Sequence, residues 1–302
     1  MDRPPTRTRI YINLSFPELS AKYAKLSCDG VGIMRAEFLA LSLATHPDQI
    51  IAEGGEEKFI DTFAQGLEKV ARDFFPRPVT YRTLDLKSNE YAGLVGGDKF
   101  EEREENPMLG LRGCARYLAS PASFRLELRA VKRVRESGLT NVRLMVPFVR
   151  FPRELAECRN IIHEEGLFAD PSFEFWMMAE VPSTIFLADE FLPHVSGVSI
   201  GSNDLTQLIL GIDRDSRKLA PSFDERDPAV QKALEILAAA ARRHSKQLSI
   251  CGDAPSRHPE MVERLVALGL TAISVSPEAF ARTVQLVADA EARLGIPNPS
   301  SV

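Results

Sequence analysis

The chain has 302 residues, 44% of them hydrophobic and 26% charged, with a formal net charge of -5 and a pI near 5.7, the composition of an ordinary globular protein. Its mild acidity is spread along the sequence, with no basic patch of the kind that releases counterions from a phosphate backbone, which argues against nucleic acid as a partner. No apolar run approaches the roughly 20 residues of a membrane span, and "MDRPPTRTRIYINLS" lacks the apolar core of a signal peptide, so a cytoplasmic protein with no membrane partner is expected.

Strand-like and helix-like segments alternate from end to end. "RIYINLS" (9–15) precedes "FPELSAKYAKL", "GVGIMRAEF" (30–38) precedes "EEKFIDTFAQGLEKVARDFF", and "PVTYRTLD" (78–85) leads through a polar, glycine-containing stretch to "SFRLELRAVKRVRESG". "NVRLMVPFV" (141–149) is followed by "PRELAECRNIIHEEG", "FEFWMMAEV" (173–181) by "PSTIFLADEFLPH", and "GVSIG" (197–201) by a loop and "DPAVQKALEILAAAARRHSKQ". "LSICG" (248–252) with "HPEMVERLVALG", and "AISVS" (272–276) with "PEAFARTVQLVADAEARLG", close the series. The helical segments carry apolar residues at three-and-four spacing, and the strands are short, continuous and β-branched, as parallel strands covered on both sides should be. Eight such units without a composition break predict one α/β domain over 1–302, a (β/α)8 TIM barrel, with short loose tails at about 1–7 and 296–302. "LGLRG" (109–113) reads either as a further strand or as a loop, and a doubly wound open sheet is the alternative architecture.

In such a barrel the reactive groups stand at the C-terminal ends of the strands. Here those ends are regularly polar: Arg35 and Glu37, Arg82 and Asp85, Arg112 in "LGLRG", Glu180, Asn203 and Asp204, and Cys251. Several arginines imply a small, multiply anionic ligand, because the planar guanidinium matches phosphate and carboxylate oxygens. Glu180 and Asp204, on neighbouring strands, are oxygen donors suited to Mg²⁺. Cys251 is the one group in the mouth able to move a proton to or from carbon. Each has a plainer alternative: Glu180 and Arg35 as a structural ion pair, Asp204 as a helix cap, Cys251 as a small core residue like the other three cysteines, which show no metal-binding or disulfide spacing. The five histidines, His46, His163, His194, His244 and His258, read as solvated. "GVGIMR" has Arg35 in place of the third glycine of a dinucleotide fingerprint, and no P-loop occurs.

The segments "GVGIMRAEF", "YRTLDLKSNEY", "EENPMLGLRG", "MMAEVPS", "SIGSNDLTQLILGIDRDS" and "ICGDAPS" together resemble the motif series of the C-terminal barrel of phosphoenolpyruvate (PEP)-utilising enzymes, in order and spacing from about residue 8 to residue 290. The wording is closest to the PEP synthase (pyruvate, water dikinase) branch. The resemblance implies that Arg35 and Arg82 hold the PEP phosphate, with Arg112 lining the same pocket and Arg214 also contacting phosphate. It implies Glu180 and Asp204 as ligands of Mg²⁺, for which Mn²⁺ can substitute, Gly201, Ser202 and Asn203 as the turn and amide that hold substrate oxygens, and Cys251 as the acid that protonates the enolate carbon. The implied reaction is phosphotransfer between PEP or pyruvate and a histidine on a separate domain, with ATP bound by a further ATP-grasp domain, in a cytoplasmic, gluconeogenic setting and as a homodimer.

Two departures stand out. Neither the glycine-rich Thr-x-His segment nor an ATP-binding domain is found in these 302 residues, so both are expected to act from elsewhere. Asp253 also replaces the Gln or Glu usual in PEP synthases, and Ala36 the usual Thr or Leu. Two other functions remain: a stand-alone PEP or pyruvate sensor, which retention of an acid at Cys251 disfavours, and a Mg²⁺-dependent pyruvate lyase or aldolase.

Overall fold

A computed structural model describes residues 3–297. Eight parallel strands close into a barrel in the order β1 to β8: β1 Arg9–Leu14, β2 Val31–Arg35, β3 Val79–Arg82, β4 Val142–Val146, β5 Phe175–Ala179, β6 Gly197–Ile200, β7 Gln247–Ile250 and β8 Ala272–Val275. Closure is made by β1 on β8, in register from Arg9 opposite Ala272 to Ile12 opposite Val275. The open-sheet alternative is thereby set aside. "LGLRG" is a loop: Gly113 takes φ +56°, a left-handed conformation that favours glycine, and a Cβ there would lie 2.7 Å from the Pro147 carbonyl oxygen.

Period-two alternation explains how the strands carry both a core and a site. On β5, Phe175, Met177 and Ala179 join the large core between strands and helices. Trp176 and Met178 point the other way and meet Ile33, Met145 and Cys251 in a smaller cluster. Continued past the strand ends, the same phase places Arg35 after Ile33, Glu180 after Met178, and Cys251 after Ser249. The lumen is thus sealed below by apolar side chains and turns polar at the C-terminal mouth.

The outer helices form where apolar residues recur at three-and-four spacing. In Glu56–Phe74 the buried face is Phe59, Ile60, Phe63, Ala64, Leu67, Val70, Ala71 and Phe74. Proline opens Pro121–Glu136, Pro152–Glu164 and Pro228–Arg243, where its missing N–H costs nothing, and Asp227 caps the last of these by accepting from the Ala229 N–H at 2.8 Å.

Two sequence expectations are corrected. His46 is buried rather than solvated: its Nδ1 accepts from the Asp48 N–H (3.1 Å), its Nε2 meets Glu101 (3.0 Å), and its ring stacks on Phe100. Of the expected loose tails, residues 1, 2 and 298–302 lie outside the described residues. Within the first tail, Arg3 donates to the Ser27 carbonyl (2.7 Å) and to Asp29 (2.8 Å), and the Arg7 N–H is held by Glu291 at 2.9 Å, so this stretch is anchored.

Candidate active site

A cavity of about 300 Å³ opens at the C-terminal mouth, lined by Arg35, Arg82, Arg112, Glu180, Gly201, Asn203, Asp204, Arg214, Cys251 and Gly252, with Glu37, Asp85, Met178 and Gln207 among its other walls. Nine of the ten residues singled out from sequence therefore share one cavity. The exception is Ser202, which does not line it. Its hydroxyl donates to Glu225 and accepts from the Ala254 N–H at 3.4 Å, so it holds backbone rather than facing a substrate.

The arginines and carboxylates interleave. Arg112 grips Asp85 with two hydrogen bonds, Nε to Oδ1 at 2.9 Å and Nη2 to Oδ2 at 2.6 Å, and reaches Asp204 Oδ2 at 3.0 Å. Its guanidinium lies 4.0 Å from the centre of the Phe148 ring, which fixes its plane. Arg214 meets the other oxygen of Asp204 at 3.2 Å. Arg82 donates to Glu37 at 2.7 Å and lies 3.4 Å from Asp85. Burial opposes the charge on Arg82, but Glu37 and Asp85 overcome it and hold its pKa above the ordinary value. Arg35 lines the cavity with no ion-pair partner among the described residues, so the structural pairing with Glu180 does not occur.

Asp204 sits in the first turn of the helix Ser202–Leu210, which Gly201 precedes without any side-chain cap. The capping alternative therefore fails, and the carboxylate is turned to the arginines. Asp85, Glu180 and Asp204 each present an oxygen within 4.8 Å of the others. Burial first, then repulsion from Asp204 and Asp85, pushes Glu180 up to about 8, although its Oε1 accepts from the Phe148 N–H at 2.7 Å. Three clustered carboxylates, two of which raise the proton affinity of Glu180, form a donor set a hard divalent cation fits, because its charge offsets their mutual repulsion. Sequence reading placed Asp85 at the end of β3 but did not join it to the other two. Its approach depends on the Thr83–Leu84 turn, where the Leu84 N–H is held by Glu127 at 3.1 Å and the Leu84 carbonyl by the Tyr117 hydroxyl at 2.5 Å.

Orphaned polar atoms point into this mouth. Arg82 Nε, Arg214 Nη1 and Glu37 Oε2 are buried without a hydrogen-bond partner, and unsatisfied donors on two arginines suit an anion supplied from outside. Cys251 lies at the base of the mouth, only 2% exposed, packed against Ile33, Trp176 and Met178. Its backbone is fixed from both sides: its N–H donates to the Ile200 carbonyl at 3.1 Å, and its carbonyl accepts from Asn13 Nδ2 at 3.1 Å. Burial pushes its thiol up to about 11, against the pull of Ser199 and Arg82. The buried thiol is therefore held in its protonated form at physiological pH.

Basic forks around a carboxylate cluster, with a buried thiol beneath, make a mouth whose donors suit a small anion and whose carboxylates could hold a cation. The chain belongs to the family described as PEP-utilising enzyme, PEP-binding domain, whose profile matches residues 3–292. It is 51% identical over 298 residues to a protein named "Probable phosphoenolpyruvate synthase" from Staphylothermus marinus, covering 96% of this chain and 36% of that protein. It is 50% identical over 299 residues to the phosphoenolpyruvate synthase of Aeropyrum pernix, with the same coverage. For the phosphoenolpyruvate synthase of Synechocystis sp. the identity is 42% over 318 residues, covering 97% of this chain and 39% of that protein. The chain thus spans little more than a third of the length of these relatives. Among solved structures, an HpcH/HpaI aldolase from Desulfitobacterium hafniense DCB-2 aligns with 98% of this chain at a TM-score of 0.49 and 13% identity, a likeness from which nothing about function follows.

Proposed function

We propose that this chain is the PEP- and pyruvate-binding catalytic barrel of a PEP synthase-type phosphotransferase. It interconverts PEP and the enolate of pyruvate, with the phosphoryl group passing to or from a histidine on another domain and ATP bound by a further ATP-grasp domain. The observation that carries this reading is the meeting, in one cavity, of the Asp85–Glu180–Asp204 cluster, four arginines and Cys251.

Arg35, unpaired, and Arg82 and Arg214, each with an orphaned donor, bind and orient the phosphoryl oxygens. Glu180 and Asp204, with Asp85 beside them, hold Mg²⁺, and Mn²⁺ fits the same oxygen donors. Bound there, the cation supplies positive charge beside a developing enolate. Asn203, lining the cavity, is held by Asp253 through two hydrogen bonds, Nδ2 to Oδ2 at 3.0 Å and the Asp253 N–H to Oδ1 at 2.9 Å, which aims the turn after β6 at the substrate. When the phosphoryl group leaves PEP, C3 of the enolate takes the proton of the Cys251 thiol, giving pyruvate and a thiolate; in the reverse direction the thiolate removes a methyl proton.

Cytoplasmic location, a gluconeogenic role and a homodimer belong to the same proposal. In support of the first, no helix among the described residues is long and apolar enough to cross a membrane. Calorimetry with oxalate, a mimic of the enolate, tests the reading: binding should require Mg²⁺ or Mn²⁺, and equal affinity in EDTA would remove Glu180 and Asp204 from the metal site.

A further inference from the structure

Glu225 is a carboxyl without an obvious reason to be where it is. It is 1% exposed, has no ion-pair partner among the described residues, and leaves Oε2 buried without a hydrogen bond. Buried carboxyls are costly unless they are held for a purpose. The one side-chain partner of Glu225 is Ser202, whose hydroxyl donates to Oε1. Ser202 begins the helix that carries Asn203 and Asp204, and its hydroxyl also accepts from the Ala254 N–H.

That hydroxyl is wedged against the turn after β7. A Cβ on Gly252 would fall 1.9 Å from Ser202 Oγ and 2.6 Å from the Ser202 nitrogen, so only glycine permits the approach. One residue further on, Asn203 and Asp253 exchange their pair of hydrogen bonds. The ends of β6 and β7 are therefore stapled over 202–203 and 252–254, immediately beside Cys251. Glu225 is the outermost member of this staple and belongs to the segment 211–227 that also carries Arg214.

We propose that Glu225 is a positioning residue: through Ser202 it locks the turn after β6 to the turn after β7, and so fixes Cys251 relative to Asn203 and Asp204. The inference rests on the reading of Cys251 and Asp204 as proton donor and metal ligand, but its first test needs neither metal nor substrate. All four cysteines, Cys28, Cys114, Cys158 and Cys251, are free and buried, so three of them report on the fold while the fourth reports on the staple.

The test follows modification of the 302-residue chain by methyl methanethiosulfonate, resolved cysteine by cysteine in a mass spectrometer. Glu225→Ala should speed modification of Cys251 at least tenfold (~) while Cys28, Cys114 and Cys158 keep their wild-type rates. Glu225→Gln should stay within about twofold of wild type, because its amide oxygen still accepts from Ser202. Ser202→Ala should match Glu225→Ala, and the double variant should be no faster than either single one, as for two residues acting through one contact. An unchanged Cys251 rate in Glu225→Ala, acceleration of all four thiols together, or a Glu225→Gln variant that behaves like Glu225→Ala would each overturn the proposal. A second readout links it to function: Mg²⁺-dependent oxalate affinity should fall about tenfold in Glu225→Ala and less than about threefold in Glu225→Gln. If the wild-type chain fails to bind oxalate, the proposed function falls, whereas the thiol rates still decide the role of Glu225.

Discussion

Replacing Asp204 with Asn tests the charge arrangement most directly, because the substitution keeps the shape of the side chain and removes its charge. Asp204 lies within 4.8 Å of oxygens on Glu180 and Asp85. A unit charge at that distance, with an effective dielectric near 20, is worth about 3.5 kcal/mol for each charge on its partner. A divalent cation among these groups loses at least that attraction. It also gains repulsion, since Arg112 at 3.0 Å and Arg214 at 3.2 Å lose the carboxylate that neutralises them. Partly offsetting this, Glu180 is relieved of the repulsion from Asp204 that helps raise it to about 8, and ionises more readily. A net loss of about 3 kcal/mol corresponds to oxalate binding about a hundredfold weaker in Mg²⁺. The control is Asp213→Asn: the Asp213 side chain accepts only from the exposed Asp215 N–H at 2.9 Å, and its loss should change affinity by less than about twofold. Titration calorimetry of oxalate into each variant, with Mg²⁺ and with EDTA, gives the answer. The reasoning is refuted if Asp204→Asn binds oxalate in Mg²⁺ as tightly as Asp213→Asn does.

The purified chain, free of other proteins, should make no PEP from ATP and pyruvate; measurable synthesis would reveal a phosphoryl carrier within these residues. In deuterated buffer with Mg²⁺, pyruvate should exchange its methyl protons, seen as loss of the methyl NMR signal, and Cys251→Ala should abolish this while oxalate affinity changes less than about threefold. Because burial holds the Cys251 thiol above its ordinary range, the thiolate is the scarce form at pH 7, and exchange should speed up as pH rises from 7 until the metal-loaded thiol has titrated; a flat profile would assign the proton to another group, with Asp253 the nearest candidate. Glu127, buried between Tyr81 and the Leu84 N–H, is pushed up to about 8 mainly by burial. A pKa raised on folding adds stability that is complete below the ordinary carboxyl pKa and is lost as pH rises through 8, so denaturant midpoints should fall from pH 5 to pH 9 by more in wild type than in Glu127→Gln.

The barrel is legible in the sequence because its two periodicities are. Apolar strands of four to six residues alternate with helices whose apolar faces recur every three or four, a pattern that a closed barrel or a doubly wound sheet buries, and eight units without a break favour the barrel. The mouth is legible because the lumen-facing phase of several strands continues into a polar residue, as from Ile33 to Arg35 and from Met178 to Glu180. What escapes is whatever depends on a turn. Asp85 reaches the carboxylate cluster only because Glu127 and Tyr117, from helices behind the barrel, hold Leu84 between them. Ser202 stands inside a motif that resembles a substrate-binding turn, yet its hydroxyl is turned away to Glu225, which lies 23 residues further along the chain. His46 is polar and flanked by loop residues, and nothing local announces that Glu101 will bury it.

Burial also changes which protonation state of Cys251 is at hand. At pH 7 a thiol that burial pushes up to about 11 stays protonated. As a donor to an enolate carbon it is almost always in the right form; as a base toward the pyruvate methyl it almost never is. The apolar packing of Ile33, Trp176 and Met178 therefore favours the protonated thiol, and the opposing forces are electrostatic: Arg82 and Arg35 pull the thiol pKa down, while Glu180 pushes it up. A divalent cation held by Glu180 would cancel that upward push and add a positive field of its own. The carboxylate cluster and the thiol are thus one electrostatic unit: on the proposed function, a cation held by the carboxylates would make the thiolate easier to form.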